Sequence, residues 1–330
     1  MRSRITVMAL CLALLLGVRG SAFAAEKLII YTSMKESLIG EIVEGFKKKN
    51  AGVDVDYQSA GAGKLIAKIA AERESGKVLA DIIWTSEIPD FYSMKKEGLL
   101  EQYKTPLIEK KEILNPFDDY DGHFTAARLG TLGVAVNTDL VKTPVKEWSD
   151  LFKPEFKGAF GIADPALSGT SYMSIALLDK KFGWSFFEKL RDNKARIGKG
   201  SGQVVDDTAS GELSASLAVD YITKDKISKG AHIAIYYPPE LLVAPSPIAI
   251  FKGSPNIAAA KKFVDYLLSR EAQKIVAGEG TLSVRPDVKS PEGLPAAADA
   301  LKRAIKIDYV KMMATKESLI KKFTDTLHGK

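Results

Sequence analysis

The chain is almost without cysteine: the only one is Cys11. It lies in residues 1–24, which carry Arg2 and Arg4, then an apolar core over 7–16, then Ala22-Phe23-Ala24. That layout predicts a secretory signal peptide cut after the small residues. The processed chain would hold no thiol, which excludes disulfides, thiolate metal sites and cysteine nucleophiles, and Cys11 stands too early to serve lipid attachment. An exported domain without disulfides fits a bacterial periplasm, with stability supplied by burial. Histidine is nearly as scarce: His123, His232 and His328 show no ligand spacing, so zinc is not expected. Beyond the leader no stretch of ~18 apolar residues occurs, so no membrane span is expected. Nor is there a Lys/Arg run interleaved with aromatics. Removal of Arg2, Arg4 and Arg19 with the leader lowers the formal charge from +6 to +3, so nucleic acid is not an expected partner.

What is present is a regular alternation. Lys27-Leu28-Ile29-Ile30-Tyr31 reads as a strand, followed by a helical pattern through Ile39, Ile42, Val43 and Phe46. A strand over 53–57, a helix over 64–73 and a strand at Asp81-Ile82-Ile83-Trp84 come next. Strands alternating with amphipathic helices predict an α/β chain whose parallel sheet is covered on both faces, with ligands gathering at the carboxyl ends of the strands. Three polar clusters follow those ends: Thr32-Ser33, Ser59-Ala60-Gly61-Ala62-Gly63 and Thr85-Ser86-Glu87.

Residues 129–137 read as a strand leaving this first lobe, 148–157 as a short helix and loop, and 159–163 as a strand. A helix closes over 188–193, another starts over 204–210, and the strand 214–219 ends at Asp220-Tyr221. Strands over 233–237, ended by Pro238-Pro239, and over 246–251 return to the first lobe, and a helix covers 257–268. The expected organisation is therefore two α/β lobes joined by crossing strands: 25–127 in the first, 128–244 in the second, and 245–330 returning with C-terminal helices.

The most informative run is Asp164-Pro165-Ala166-Leu167-Ser168-Gly169-Thr170-Ser171-Tyr172-Met173-Ser174, a turn of hydroxyls and glycine opening a helix. Such a turn aims unpaired amides, hydroxyl donors and the positive end of a helix dipole at one point. It reads either as a plain N-cap or as an anion cradle. Other motifs lead nowhere. Gly61-Ala62-Gly63-Lys64 lacks the Ser or Thr that a nucleotide P-loop places after its lysine. Ser318-Leu319-Ile320-Lys321 has a hydrolase-like spacing without companion motifs. The pairs Asp118-Asp119 and Asp206-Asp207 are not placed opposite one another as a glycosidase requires. No catalytic residues are expected.

Taken together the chain resembles the periplasmic solute-binding components of ABC importers, in the branch of ferric-binding and of phosphonate-binding (2-aminoethylphosphonate) or phosphosugar-binding proteins. The resemblance is carried by Leu28-Ile29-Ile30-Tyr31-Thr32, Ala80-Asp81-Ile82-Ile83-Trp84-Thr85-Ser86-Glu87, Gly98-Leu99-Leu100, Gly133-Val134-Ala135-Val136-Asn137-Thr138, Ser168-Gly169-Thr170 and Ala258-Ala259-Ala260-Lys261-Lys262-Phe263-Val264-Asp265-Tyr266-Leu267-Leu268-Ser269. It implies a two-lobed type II periplasmic-binding fold, monomeric and without a cofactor, that closes on a small ligand and delivers it to a membrane permease.

In ferric-binding relatives the metal is held by a His after the first strand, a Glu after the Ala-Asp strand and two adjacent tyrosines. Here those positions fall near Lys35, on Ser86 with Glu87 beside it, and on Tyr221-Ile222, so most of the iron set is missing. Ser168-Gly169-Thr170 matches the turn that holds the relatives' partner phosphate. The resemblance therefore implies that the ligand itself carries the phosphate or phosphonate. Thr32, Ser33, Ser59, Gly61 and Ser86 would serve from one lobe, and Ser168, Gly169, Thr170 and Ser171 from the other. Asp220 at the cleft would accept from an amine or a sugar hydroxyl, or else cap a helix. Arg128 at the hinge would meet the anion or brace the lobes. The alternative is ferric iron held by Tyr221 with Tyr236 or Tyr237 and Glu87, plus a synergistic anion.

Overall fold

The computed structural model describes residues 26–306 and 308–329, so the leader and Cys11 lie outside the described residues. Its first lobe runs β1 (Glu26–Thr32), α1 (Glu36–Lys49), β2 (Val53–Ser59), α2 (Ala62–Glu74), β3 (Ile82–Trp84), α3 (Ile88–Lys96) and the short α4 (Pro106–Glu109). α1 forms where the apolar spacing predicts it: Leu38, Ile39, Ile42, Val43 and Phe46 are buried, with Glu36 in the first turn and Lys47, Lys48 and Lys49 in the last, each sign matching its end of the helix dipole. β1 pairs in parallel with β2 (Leu28↔Val55) and with β3 (Ile30↔Ile82).

The chain then leaves on β4 (Thr125–Asn137), thirteen residues that are buried throughout. The second lobe holds β5 (Phe160–Ala163), α5 (Gly169–Phe182), α6 (Ser185–Asp192), β6 (Arg196–Gly198), α7 (Ser201–Ser210), β7 (Ala215–Val219), α8 (Asp220–Ser228) and β8 (Ile233–Tyr236). Two single turns of 3-10 helix, Trp148–Phe152 and Pro154–Phe156, replace the expected short helix. β9 (Leu242–Ile250) returns, and α9 (Ile257–Leu267), α10 (Arg270–Gly278), α11 (Ala297–Arg303) and α12 (Tyr309–Leu327) finish the chain. Among the described residues no helix is long and apolar enough to cross a membrane.

The sheet order is β2-β1-β3-β9-β4-β7-β5-β6, with β8 also paired to β4. β9 bonds to β3 at one end (Ile250↔Ile82) and to β4 along Thr125 to Leu132, while β4 pairs with β7 from Leu132 onward. These two antiparallel strands are the crossing between lobes. The crossing starts earlier than the apolar pattern indicates because Thr125, Arg128 and Thr131 are polar yet buried. The strand expected over 233–237 does not itself return to the first lobe. β8 pairs with Val134 to Asn137 at the far end of β4, and the return belongs to β9.

α12 spans both lobes. Tyr309 stacks on Tyr92 at 6.2 Å, and at the other end Phe323 meets Phe187 edge-on at 5.5 Å. Trp184 Nε1 donates to Thr326 Oγ1 (3.1 Å), and the Tyr172 hydroxyl donates to the Met312 carbonyl (2.8 Å). Between these anchors Lys316 Nζ pairs with Glu87 and, at 2.8 Å, with Asp90. Glu87, expected at the ligand site, is instead 1 % exposed and bound up in this ion cluster.

Burial pushes the Glu87 carboxyl up to about 7, Asp90 adds to the rise, and Lys316 opposes it. A carboxyl raised in the folded state contributes stability that is complete below its unfolded value near 4.5 and is lost as pH rises through about 7. Between pH 5 and 8 the wild type should therefore lose roughly 2 kcal/mol relative to Glu87→Gln, read from urea melts. A difference that stays flat, or moves the other way, contradicts this account of the cluster.

Candidate functional site

Between the lobes lies a cavity of about 420 Å³. Its walls are helix beginnings that follow strand ends. Ser33 and Lys35 precede α1, Gly61 and Ala62 open α2, and Ser86 precedes α3. From the second lobe come Leu167 to Thr170 at α5 and Lys199 to Gln203 at α7, with Val219, Tyr221 and Ile222 at α8. α1, α2 and α7 start at Lys35, Gly61 and Gly200, none of which puts a side-chain oxygen on the first-turn amides. Those amides and their dipoles thus keep their capacity for an outside acceptor.

The exception is α5, where Ser168 Oγ accepts from the Ser171 amide at 3.3 Å. Three hydroxyls form a triangle there: Ser168 Oγ stands 3.1 Å from Thr170 Oγ1 and 2.7 Å from Ser201 Oγ, and Thr170 Oγ1 stands 2.9 Å from Ser201 Oγ. Each hydroxyl has one proton and two acceptor lone pairs, so the ring can re-aim its protons toward an entering oxyanion.

The cavity is lined by Lys35, Lys64, Lys199 and Arg128 and, among the described residues, by no aspartate or glutamate. The ion pairs that lysines make among the described residues all belong to other lysines, so Lys35, Lys64 and Lys199 have no described carboxylate within 4.0 Å. Arg128 differs. It is 1 % exposed, donates through Nη1 to Thr281 Oγ1 (2.8 Å) and through Nη2 to Ser86 Oγ (3.2 Å), and lies 3.5 Å from Asp220 Oδ1. Its guanidinium covers the ring of Tyr221 at 4.8 Å, and the Tyr221 hydroxyl accepts from the Lys35 amide across the cleft at 3.2 Å.

The structure brings together Ser33, Ser59, Gly61, Ser86, Ser168, Gly169, Thr170 and Tyr221 around this cavity. Thr32 lies behind the wall, its hydroxyl donating to the Trp84 carbonyl (2.9 Å) and accepting from the Met34 amide (3.1 Å). The Ser171 hydroxyl turns inward to the Ala163 carbonyl. Asp220 does not reach the cleft either: Oδ2 accepts from the Thr131 amide and hydroxyl and from Thr281, Oδ1 accepts from the Tyr221 amide, and Arg128 faces it. Burial raises its carboxyl while Arg128 and these donors oppose the rise. Tyr236 pairs with β4, and Tyr237 lies beside Thr131 and Asp220, with burial pushing its phenol up. Glu87 is held by Lys316, so the four proposed iron ligands do not meet.

Lys199, Ser201, Gly202 and Gln203 were not picked out by the sequence reading. Their signal is Gly198-Lys199-Gly200-Ser201-Gly202, a glycine and serine turn at a strand end, but β6 is only three residues long and carries no apolar alternation.

The lobes are in contact through glycines. A Cβ on Gly61 would stand 2.5 Å from the Leu167 carbonyl oxygen, and one on Gly63 would stand 2.2 Å from that of Ala166. The backbone of α2 therefore lies directly against the opposite lobe. At Gly202 a Cβ would stand 2.5 Å from Lys35 Nζ, so the lysine of one lobe reaches the helix start of the other.

Residues 77–312 match the family described as bacterial extracellular solute-binding proteins. An uncharacterised protein of Haemophilus influenzae is 30% identical over 328 residues, covering 93% of this chain and 92% of that one. A Salmonella typhimurium periplasmic protein named for 2-aminoethylphosphonate binding is 26% identical over 266 residues, 77% of this chain and 76% of its own. The solved periplasmic binding protein AfuA from Actinobacillus pleuropneumoniae, with fructose-6-phosphate bound, superposes with a TM-score of 0.79 at 25% identity over 92% of this chain and 99% of that one. With a family match over most of its length and a two-lobed α/β fold that matches a solved binding protein, the chain belongs to the bacterial extracellular solute-binding proteins.

Proposed function

We propose that this protein captures a small phosphonate or organophosphate anion between its lobes in the periplasm and hands it to the permease of an ABC importer. The observation that carries the reading is the cavity: uncapped helix starts from both lobes, a hydroxyl triangle and three lysines face one space that, among the described residues, no carboxylate lines. Helix N-termini and charged donors together make an anion site, and a ligand that touches both lobes favours the closed state by its differential contacts. The names of the Salmonella relative and of AfuA's ligand point to the same chemical class. We read the protein as a binder rather than an enzyme, because the neighbours of Ser168 Oγ are two further hydroxyls and not a base. The ferric reading has less support: of Tyr221, Tyr236, Tyr237 and Glu87, only Tyr221 borders the cavity.

Calorimetric titration with fructose 6-phosphate, 2-hydroxyethylphosphonate, 2-aminoethylphosphonate and inorganic phosphate should give binding heat with at least one. Silence with all four removes the reading. Ser168→Ala with Thr170→Ala should weaken binding by about 10- to 100-fold, as expected for lost hydrogen bonds to a charged group. The same change should cost only about 1 kcal/mol of stability through the lost cap. Unchanged affinity would reduce the turn to a helix cap.

Gly63→Ala tests closure separately. Alanine suits α2 itself, but its methyl meets the Ala166 carbonyl. On adding saturating ligand, small-angle X-ray scattering should show the wild type at a smaller radius of gyration than the variant. Equal radii would mean that the glycine contact does not limit closure.

A further inference from the structure

A ligand that carries an ammonium beside its phosphonate is held most strongly by a carboxylate or an open aromatic face. Among the described residues the cavity lining offers neither. Its one aromatic ring, that of Tyr221, is covered by the Arg128 guanidinium at 4.8 Å. The two carboxylates that follow cleft-bordering strands are both engaged elsewhere, Asp220 by Arg128 and three donating residues, Glu87 by Lys316. Because Asp220 lies against Arg128, the arginine's charge is largely offset from behind. The positive potential in the cavity therefore comes from the helix starts and from Lys35, Lys64 and Lys199. Of the three, Lys35 bridges the cleft, its Nζ lying at the start of α7 beside Gly202.

We propose that the cleft selects a phosphonate or phosphate whose attached arm is uncharged, and that Lys35 excludes an ammonium from that arm. The inference rests on the anion reading of the same cavity and narrows it. An arm ending in a hydroxyl can both donate to and accept from the cavity's hydroxyls and backbone groups, whereas an ammonium can only donate to them and brings its charge among Lys35, Lys64 and Lys199 with no carboxylate in the described lining to offset it. This separates the chain from its Salmonella relative, whose name specifies an aminoalkyl ligand.

The test compares 2-hydroxyethylphosphonate with 2-aminoethylphosphonate, which differ only in the terminal group, by calorimetry on the wild type, Lys35→Gln and Lys35→Glu. Lys35 is exposed, and melting curves followed by circular dichroism should be nearly unchanged in both variants. The wild type should bind the hydroxyl ligand at least about 10-fold more tightly, an advantage that shrinks in Lys35→Gln and shrinks further or reverses in Lys35→Glu. Equal or tighter binding of the amine by the wild type overturns the selectivity while leaving the cavity an anion site. Failure of both ligands, with inorganic phosphate and fructose 6-phosphate also silent, overturns the anion reading as well. A preference that is the same in all three folded proteins removes Lys35 from the role.

Discussion

The buried pair of Arg128 and Asp220 is the constraint on which the rest of the molecule depends. Arg128 sits on the strand that crosses between lobes and is 1 % exposed, as is Asp220 at the start of α8. Its guanidinium touches Met34 and Ser86 of the first lobe, Thr281 of the returning segment and the Tyr221 ring of the second. Leaving either charge buried without its partner costs about 3–5 kcal/mol, so neither group is free to change partners when a ligand arrives. The pair holds the floor of the cleft and removes from its wall the one acidic group that chain order places nearest.

The character of the cleft follows from that arrangement. With Asp220 withdrawn beneath the floor and Glu87 drawn under α12 by Lys316, the lining keeps its cations and loses its anions. The helices entered from Lys35, Gly61 and Gly200 then present amides that no side chain caps. The glycines at 61 and 63 let the two backbones meet, so groups from the two lobes face one space from opposite sides. Sheet topology, hinge chemistry and surface approach thus converge on one property, a small space whose polar groups donate.

Much of the first lobe was legible in the sequence, since α1 and β1 to β3 follow simple periodicities: Leu38, Ile39, Ile42, Val43 and Phe46 on one face, Leu28 and Ile30 on the other side of a sheet. The hydroxyl run at Ser168 was legible for the same local reason, as a cap sits where its helix starts. What stayed hidden depends on contacts far apart in sequence. Asp220 looks like a cleft carboxylate until Arg128, ninety-two positions earlier, is placed against it, and Glu87 looks like a ligand until α12 brings Lys316 over it. β8 looked like a returning strand because its period is right and its partner is not written locally. Ser201 and Lys199 were missed because β6 is too short to announce the turn that follows it.

The central claim is that one anion is held jointly by helix starts from both lobes. Hydrogen exchange of backbone amides, followed by mass spectrometry with and without saturating 2-hydroxyethylphosphonate, tests it most directly. The account predicts slowed exchange at 33–36 and 61–64 in one lobe together with 168–171 and 199–203 in the other, with little change on α12. Protection confined to a single lobe, or centred on α12, would contradict it.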